Sequence, residues 1–413
     1  MKLFKLLVCL YILCASFAVA DARKPQELKY LIFNSSIDVS TPEAAAKGLR
    51  GISSKFEQSP QKDVKIGVSR IFSYLSVEDP RQTAAELRNF LNASLETQVP
   101  VLVKLDGEQW WQGRPDLWNW WDPEKPGYDP ENAKNVEWTW WSPQHAIKIA
   151  WRNWGRQIRV LPPPNLMSPA YRKATHEGMD LLMPIVMNWQ KSLPDDKKHL
   201  FVGINVGWES SLCYNAIYYP NGNEYLDKPV KDDPQYGAVR ADVLSRGLVQ
   251  TGYAALKTSG IRTSGDITEN DLVEVVRRHL EDLAKYAYDF GFSRDKIFTH
   301  GVGNENGEKL YDAAVNEYSC PGWSGYWYAD DPSKDTGIMR NIKKSDAPSW
   351  AIVEWLLLKP YKEKDLWQSA FESSLRYPGC KFIAVYNWEG VYSEGSRVIE
   401  AANDAIRNLN TGE

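Results

Sequence analysis

Residues 99–105 read VPVLVKL, and they complete a stretch of alternating strand and helix patterns that decides the fold. Two similar apolar runs precede them, YLIF at 30–33 and VKIGVSRIF at 64–72. Helical patterns occupy the intervals, at 44–56 and 79–95. Strands this apolar are typically buried on both faces, and their alternation with helices predicts a parallel sheet covered by helices.

The rest of the chain repeats this alternation and adds three long insertions. Four further strand patterns occur at 200–206, 296–299, 350–355 and 382–386. These make seven strands in all, and we expect an eighth between 210 and 295 or near 338–344. The insertions, each of which follows a strand rather than a helix, span 106–165, 210–237 and 301–334.

The insertions help to decide between two α/β architectures. In a (β/α)₈ barrel, segments that follow strands lie at one face, which is the catalytic face. A doubly wound nucleotide-binding sheet would carry a Gly-rich phosphate loop after its first strand, and this sequence has none there. We therefore predict an α/β fold, a (β/α)₈ TIM barrel formed by one domain over residues 21–413, with long insertions at the catalytic face.

The first twenty residues have the composition of a signal peptide. Lys2 and Lys5 form a basic start, residues 6–19 are almost wholly apolar, and the small residues of AVA at 18–20 suit signal-peptidase cleavage. A membrane-spanning helix needs about 20 apolar residues, which is more than this segment offers. We expect cleavage before Asp21, a secreted or periplasmic protein, and no membrane anchor after cleavage.

Tryptophan is unusually abundant and unevenly placed. The chain has 18 Trp, and ten of them fall between Trp110 and Trp154. A buried indole N–H needs a hydrogen-bond partner, so a protein core is poorly served by so many in one segment. The flat apolar face of an indole suits the C–H face of a sugar ring, although we expect roughly half of these tryptophans to form the insertion's own small core. We therefore expect a carbohydrate ligand, with Trp110, Trp111 and Asp106 nearest the reaction centre because they leave the third strand directly.

Charge and metal-ligating residues exclude other classes of protein. Removing Lys2 and Lys5 with the signal segment leaves 47 basic side chains against 53 acidic ones, and no basic run occurs. Nucleic-acid binding is therefore not expected. The sequence has no CxxC, no HExxH and only scattered His, so we predict no metal site and no cofactor. The oligomeric state is left open.

Two glutamates stand where a barrel enzyme places its catalytic groups, at the C-terminal ends of strands. Glu209 follows the apolar run FVGINVGW at 201–208, and Glu354 follows WAIV at 350–353. A carboxylate at the end of so apolar a strand is costly unless it is paired or used. Glycoside hydrolysis needs two carboxyl groups that flank the scissile bond. We therefore take Glu209 and Glu354 as the catalytic pair.

With these residues the chain resembles the clan A glycoside hydrolases, retaining (β/α)₈ enzymes with the acid/base on strand four and the nucleophile on strand seven. The resemblance implies that Glu209 is the acid/base and Glu354 the nucleophile. It also implies that Arg70, at the end of strand two, steadies the nucleophile. Asn387 and Trp388, at the end of the last strand, would contact the sugar, with Trp388 as the floor of the site.

The sequence departs from the clan pattern at two positions. The clan usually has Asn just before the acid/base, whereas this chain has Trp208 there and its nearest Asn is Asn205. We expect Asn205 and Trp208 to line the sugar site. The clan often has a Tyr on strand six, where this chain has Thr299 and His300. We expect His300 to replace that Tyr as the hydrogen-bond partner of the nucleophile.

Several alternatives stay open. Glu305, in GNENG at 303–307, is a rival catalytic acid and otherwise an oxygen ligand for substrate or for a structural calcium ion. The run GWESSL at 207–212 also looks like the acid segment of β-amylases, which invert the anomeric carbon.

Other functions are also considered. A non-catalytic carbohydrate-binding barrel would be expected to have lost its strand-end carboxylates, whereas this chain keeps Glu209 and Glu354. An aldolase would need a strand-end Lys, for which only Lys104 qualifies, and a metallohydrolase would need strand-end His pairs. The function predicted is a retaining hydrolase of oligo- or polysaccharides.

Overall fold

The structure is a computed structural model of the 413-residue chain. It describes residues 28–57, 63–77, 79–108, 110–148, 150–153, 157–212, 250–302 and 308–411. The predicted signal peptide, Glu305 and most of the 210–237 insertion lie outside these ranges.

Eight parallel strands form a closed barrel, each hydrogen-bonded to the next along the chain. They are β1 (Lys29–Asn34), β2 (Val64–Ser73), β3 (Val101–Asp106), β4 (Phe201–Ser210), β5 (Ile297–Gly301), β6 (Gly322–Gly325), β7 (Trp350–Trp355) and β8 (Cys380–Val385). The first strand pairs with both β2 and β8, which closes the barrel. The predicted α/β (β/α)₈ TIM barrel is confirmed.

The eighth strand lies where the sequence did not suggest it. It is β6, inside the segment we took as the third insertion, whereas the segment near 338–344 is part of the helix Thr336–Lys344. The strand is only four residues long and reads GWSG, a weak strand pattern. A Cβ on Gly322 would lie 2.4 Å from the carbonyl oxygen of Thr299, so the strand depends on glycine for its close approach to β5.

Helices surround the barrel. Those described are Pro42–Ser53, Pro80–Thr97, Pro115–Trp118, Pro169–Ser192, Tyr253–Ser259, Glu269–Phe290, Thr336–Lys344, Lys364–Arg376, Trp388–Val391 and Val398–Thr411. Side-chain caps at Thr41, Asp79 and Thr268 fix the starts of three of them. Within the described ranges, no helix has the length and apolarity that crossing a bilayer requires.

Alternation along the strands separates two cores. One large cluster lies between the strands and the helices, and a smaller one fills the barrel interior. The interior cluster consists of Tyr30, Ile32, Leu102, Val202, Phe298, Cys320, Ala351, Val353, Phe382 and Ala384. Towards the C-terminal ends of the strands, buried polar side chains such as Lys104, Asn205, His300 and Ser324 follow these apolar ones. The polar end of the interior is therefore where chemistry can take place.

Candidate active site

Glu209 and Glu354 meet at one hydroxyl group. The hydroxyl of Tyr326 lies 2.5 Å from Oε1 of Glu354 and 3.3 Å from Oε1 of Glu209. The direct line between the two carboxylate oxygens cannot be longer than the path through the hydroxyl, so they are at most about 6 Å apart, a distance typical of a paired-carboxylate site. The structure thus brings the two predicted carboxylates together.

A register shift in β7 turns Glu354 into the barrel. Ala351 and Val353 belong to the interior cluster and Ile352 to the outer one, so strict alternation would send Glu354 outwards. However, β6 pairs Trp323 with Ile352 and then Ser324 with Glu354, which leaves Val353 as an extra residue. Such a bulge re-aims the side chain that follows it. Glu354 therefore faces the interior and is buried.

Lys104 supplies a positive charge beside Glu354. Its Nζ lies 3.5 Å from Oε2 of Glu354 and donates to the carbonyl oxygen of Val353 at 3.2 Å. The side chain is only 2% exposed, and its ammonium also lies 5.3 Å from the ring of Trp208. Because both partners of this ion pair are buried, each depends on the other for compensation of its charge.

Irregular backbone at the end of β4 presents Glu209. Between Val206 and Ser210 the pairing with β5 slips, so that β4 carries extra residues at this point. Gly207 has φ +79° and Glu209 has φ +45°, and positive φ is strained for a residue with a side chain. Strain of this kind is concentrated at functional sites, where the surroundings hold it in place.

Glu108 holds the strained segment on both sides of Glu209. Its Oε1 accepts from the backbone N–H of Trp208 at 3.2 Å and from the hydroxyl of Ser210 at 2.7 Å. His279, on the helix Glu269–Phe290, lies 2.9 Å from the same oxygen through Nε2. All of these side chains are buried or nearly so. Glu108 therefore positions the backbone on both sides of Glu209. It follows β3 by two residues, and a sequence position of this kind does not separate positioning from catalysis.

Ser324 and His300 form a second set of contacts with Glu209. The hydroxyl of Ser324 donates to Oε1 of Glu209 at 2.6 Å. Nε2 of His300 lies 2.9 Å from the same hydroxyl. Burial, and secondly the charge of Lys104, hold the pKa of His300 well below its usual value, so its ring is neutral. His300 was expected to partner the nucleophile, but the structure places it on the other carboxylate, through Ser324.

Two tyrosines that the sequence reading missed face the carboxylates. Burial raises the pKa of Tyr326 well above its usual range, and the charges of Glu209 and Glu354 add to the effect. The pKa of Tyr386, at the end of β8, is raised by burial and by the same two carboxylates. Tyr326 follows β6, so it occupies the strand-six position where the clan often has a Tyr. Locating β6 correctly would have found it.

Arg70 lies elsewhere than expected. Its neighbours in β2, Val68 and Phe72, belong to the outer cluster, so alternation sends Arg70 outwards as well. There its guanidinium donates to the carbonyl oxygen of Ile37 at 2.7 Å and pairs with Glu86 at 3.4 Å. The cation beside Glu354 is instead Lys104, from β3.

Trp388 and Asn387 have structural contacts. Trp388 is 8% exposed, stacks on Tyr392 with 4.8 Å between ring centroids, and meets Phe33 edge-on at 5.4 Å. It is therefore part of the outer core rather than an open floor for a sugar. The side chain of Asn387 accepts from the N–H of Gly390 at 2.8 Å and caps the short helix that follows.

Most of the tryptophans in the 106–165 insertion that the structure describes form the core of that insertion. The indole N–H groups of Trp118, Trp120, Trp138 and Trp141 each donate to a backbone carbonyl. Trp111, expected to bind substrate, is 1% exposed and donates to the carbonyl oxygen of Pro162, so its ring is not open for stacking on a sugar. Each of these indoles has a backbone carbonyl as its hydrogen-bond partner, which is how so many can be buried together.

The remaining predicted site residues are placed as follows. Trp110 is half-buried. Asp106 is buried, and it accepts from the hydroxyl of Ser73 at 2.9 Å and from the N–H of Glu108 at 2.8 Å, so it orders the end of β3. Asn205 is buried and donates to the carbonyl oxygen of Phe298 at 3.0 Å. Trp208 is nearly buried, with its ring 6.4 Å from that of His300.

Comparison with known proteins identifies the fold. No family model and no curated protein matches the chain. The catalytic domain of a β-amylase from Paenibacillus polymyxa is similar, with a TM-score of 0.50 and 9% identity over 93% of this chain and 99% of that one. At this identity the similarity shows the fold alone. The resemblance to barrel glycoside hydrolases expected from the sequence is thereby confirmed at the level of fold, without a family.

Two further solved structures are more distant. A GH5-4 broad specificity endoglucanase from an uncultured bacterium has a TM-score of 0.43 and 8% identity, over 91% of this chain and 86% of that one. A GH26 endo-β-1,4-mannanase from Bacillus sp. JAMB-750 has the same score and identity, over 93% of this chain and 86% of that one.

Among the residues that the structure describes, no group of three or more His, Cys, Asp or Glu is arranged to hold a metal ion.

Proposed function

We propose that this chain is a glycoside hydrolase that retains the anomeric configuration of its substrate. The observation that carries the proposal is the Tyr326 hydroxyl shared by Glu209 and Glu354. Retaining glycosidases place their two carboxyl groups about 5 to 5.5 Å apart, whereas inverting enzymes leave about 6.5 to 9.5 Å to admit a water molecule. The upper limit of about 6 Å on the distance between the two bridged oxygens favours the retaining arrangement.

Glu354 is the nucleophile in this proposal. The ammonium of Lys104 and the hydroxyl of Tyr326 both face its carboxylate, and charge-assisted contacts of this kind suit an ionised group. Attack of Glu354 on the anomeric carbon forms a bond from that carbon to the carboxylate oxygen and breaks the bond to the leaving oxygen. The product of this step is a covalent glycosyl-enzyme.

Glu209 is the acid and then the base. It gives its proton to the leaving oxygen in the first step, and in the second step it takes a proton from the water that attacks the glycosyl-enzyme. Its strained backbone and the clamp by Glu108 hold the carboxyl group opposite Glu354. The cycle returns both carboxyl groups to their starting protonation states, and this chemistry uses no cofactor.

The proposed ligand is a carbohydrate. Trp327 directly follows Tyr326 and is 66% exposed, which is unusual for so large an apolar side chain. Its indole is therefore available to stack on a sugar ring. The composition of the first twenty residues supports a secreted or periplasmic location for this activity.

The test is a screen of aryl glycosides and polysaccharides in which NMR follows the anomer released first. We expect hydrolysis with retention, and the matched Glu209→Gln and Glu354→Gln variants should lose it. An inverted product would favour a β-amylase-like reaction instead. Binding of an oligosaccharide without hydrolysis would favour a non-catalytic carbohydrate-binding barrel.

A further inference from the structure

The contacts of Glu209 lead beyond the pair of carboxylates. They run from Oε1 of Glu209 to the hydroxyl of Ser324 at 2.6 Å, and from that hydroxyl to Nε2 of His300 at 2.9 Å. Ser324 lies on β6 and His300 on β5, and both are buried in the barrel interior. No step of the proposed reaction uses either residue.

The direction of the hydrogen bonds follows from the surroundings of His300. Its Nδ1 is buried and has no hydrogen-bond partner among the described residues. An unsatisfied buried N–H is rarer in proteins than an unsatisfied acceptor, so the single proton of the neutral ring belongs on Nε2. Nε2–H then donates to Ser324, whose own hydroxyl hydrogen is left to donate to Glu209.

We propose that His300 and Ser324 form a chain of donors that keeps Oε1 of Glu209 as an acceptor and directs the exchangeable proton of Glu209 to Oε2. This inference rests on the proposed function only in assigning Glu209 as the acid/base. His300 and Ser324 are positioning residues, since they act through Glu209. Hydrogen bonds donated to a carboxylate favour its ionised form, so this chain sets the pH at which the acid becomes ionised.

Other charged or titratable groups also face Glu209, and the variants below leave them in place. Lys104 lies beside Trp208, and Glu108 with His279 lies behind the backbone of Glu209. Tyr326, Glu354 and Tyr386 face it from the ends of β6, β7 and β8, respectively. These groups are the same in the wild type and in each single variant. A change in the pKa of Glu209 between the two is therefore due to the loss of a donor from the chain.

The experiment compares Ser324→Ala and His300→Leu with the wild type. The alkaline limb of kcat/KM for an aryl glycoside with a poor leaving group should move to higher pH, by about one unit for Ser324→Ala, because a donor to the carboxylate is lost. His300→Gln, which keeps an N–H donor, should restore most of the wild-type profile. Ser69→Ala is the matched control, since Ser69 is a buried barrel serine whose hydroxyl contacts Asn34.

A second measurement does not depend on activity. Titration of ¹³C-labelled glutamate carboxyl groups by NMR, with Glu209→Gln to assign the signal, reads the pKa of Glu209 directly. The same upward shift is expected in Ser324→Ala and His300→Leu. An unchanged pKa in folded variants would overturn the donor chain and leave the hydrolase proposal intact. An unaltered rate in Glu209→Gln would instead overturn the role of Glu209 in the proposed function.

Discussion

The hydroxyl of Tyr326 lies 2.5 Å from Oε1 of Glu354. This contact joins the end of β6 to the end of β7, and the same hydroxyl reaches Oε1 of Glu209 at 3.3 Å. A single side chain thus fixes the nucleophile relative to the acid in the proposed mechanism. The contact explains why the residue that follows the four-residue strand β6 matters to the site.

Tyr326→Phe removes this hydroxyl and keeps the ring. A hydrogen bond to a charged group contributes about 1.5 to 3 kcal/mol, so we expect kcat/KM to fall by roughly ten- to a hundredfold. The melting temperature should change little, because the ring still packs at the end of β6. Kinetics and thermal unfolding of the purified variant check this prediction, and a full rate in Tyr326→Phe would show that the shared hydroxyl has no part in catalysis.

Lys104→Met leaves Glu354 as a buried carboxylate without its ammonium. Removing one partner of a buried ion pair typically costs about 3 to 5 kcal/mol, so the free energy of unfolding should fall by an amount of that order. The double variant Lys104→Met/Glu354→Gln, which removes both charges, should recover much of the loss. Denaturant unfolding of the wild type, Lys104→Met, Glu354→Gln and the double variant measures these free energies. If the losses of the two single variants simply add in the double variant, the two charges are not paired.

Glu137 makes stability depend on pH. It is fully buried in the 106–165 insertion, and it accepts from the N–H groups of Gly252 and Ala255 at the start of the helix Tyr253–Ser259. Burial raises its pKa from 4.5 to about 7, against the opposing effect of these hydrogen bonds. A carboxyl group with a raised pKa in the folded state contributes stability that is present below pH 4.5 and is lost as the pH rises through 7.

We therefore expect the melting temperature of the wild type to fall from pH 5 to pH 8 relative to that of Glu137→Gln. The exposed Glu124, in the same insertion, provides the control variant Glu124→Gln, which should follow the wild type. Thermal unfolding at several pH values measures the difference. Parallel curves for the wild type and Glu137→Gln would show that Glu137 titrates normally.

Trp327 and Trp388 should respond in opposite ways to replacement by Ala. Trp327 is exposed and directly follows Tyr326, so its loss should raise KM by several-fold, as for a stacking contact of about 1 kcal/mol, without lowering the melting temperature. Trp388 packs on Tyr392 and Phe33, so its loss should destabilise the fold by about 3 to 5 kcal/mol. The reverse pattern would make Trp388 the sugar platform after all.

The barrel strands and the two carboxylates could be predicted from the sequence for one physical reason. Strands buried on both faces appear as apolar runs, and a carboxylate at the end of such a run stands out. The barrel and the meeting of Glu209 with Glu354 could be predicted for that reason. The strand β6 could not, because GWSG is short and half glycine, and Tyr326 was missed with it.

The errors at other positions depend on single-residue geometry. Alternation along β2 points Arg70 outwards, towards the helices. In β7, a bulge at Val353 turns Glu354 inwards, although alternation alone would point it outwards. The resemblance to the clan rests on strand order, so it predicts neither the outward direction of Arg70 nor the bulge that turns Glu354 inwards. Trp111 was expected near a sugar because Trp is abundant in its segment, but abundance indicates sugar binding only where the rings are exposed. Trp388 was assigned by the resemblance to the clan, which does not show whether its ring is packed in the core.

Azide rescue shows whether Glu354 attacks the anomeric carbon. Glu354→Ala should lose nearly all activity on an activated aryl glycoside, and added azide should restore turnover by forming the glycosyl azide of inverted configuration. In Glu209→Ala, azide should give the azide of retained configuration, because the glycosyl-enzyme still forms. A Glu354→Ala variant that stays fully active, or that yields a glycosyl azide of retained configuration, would show that Glu354 is not the nucleophile.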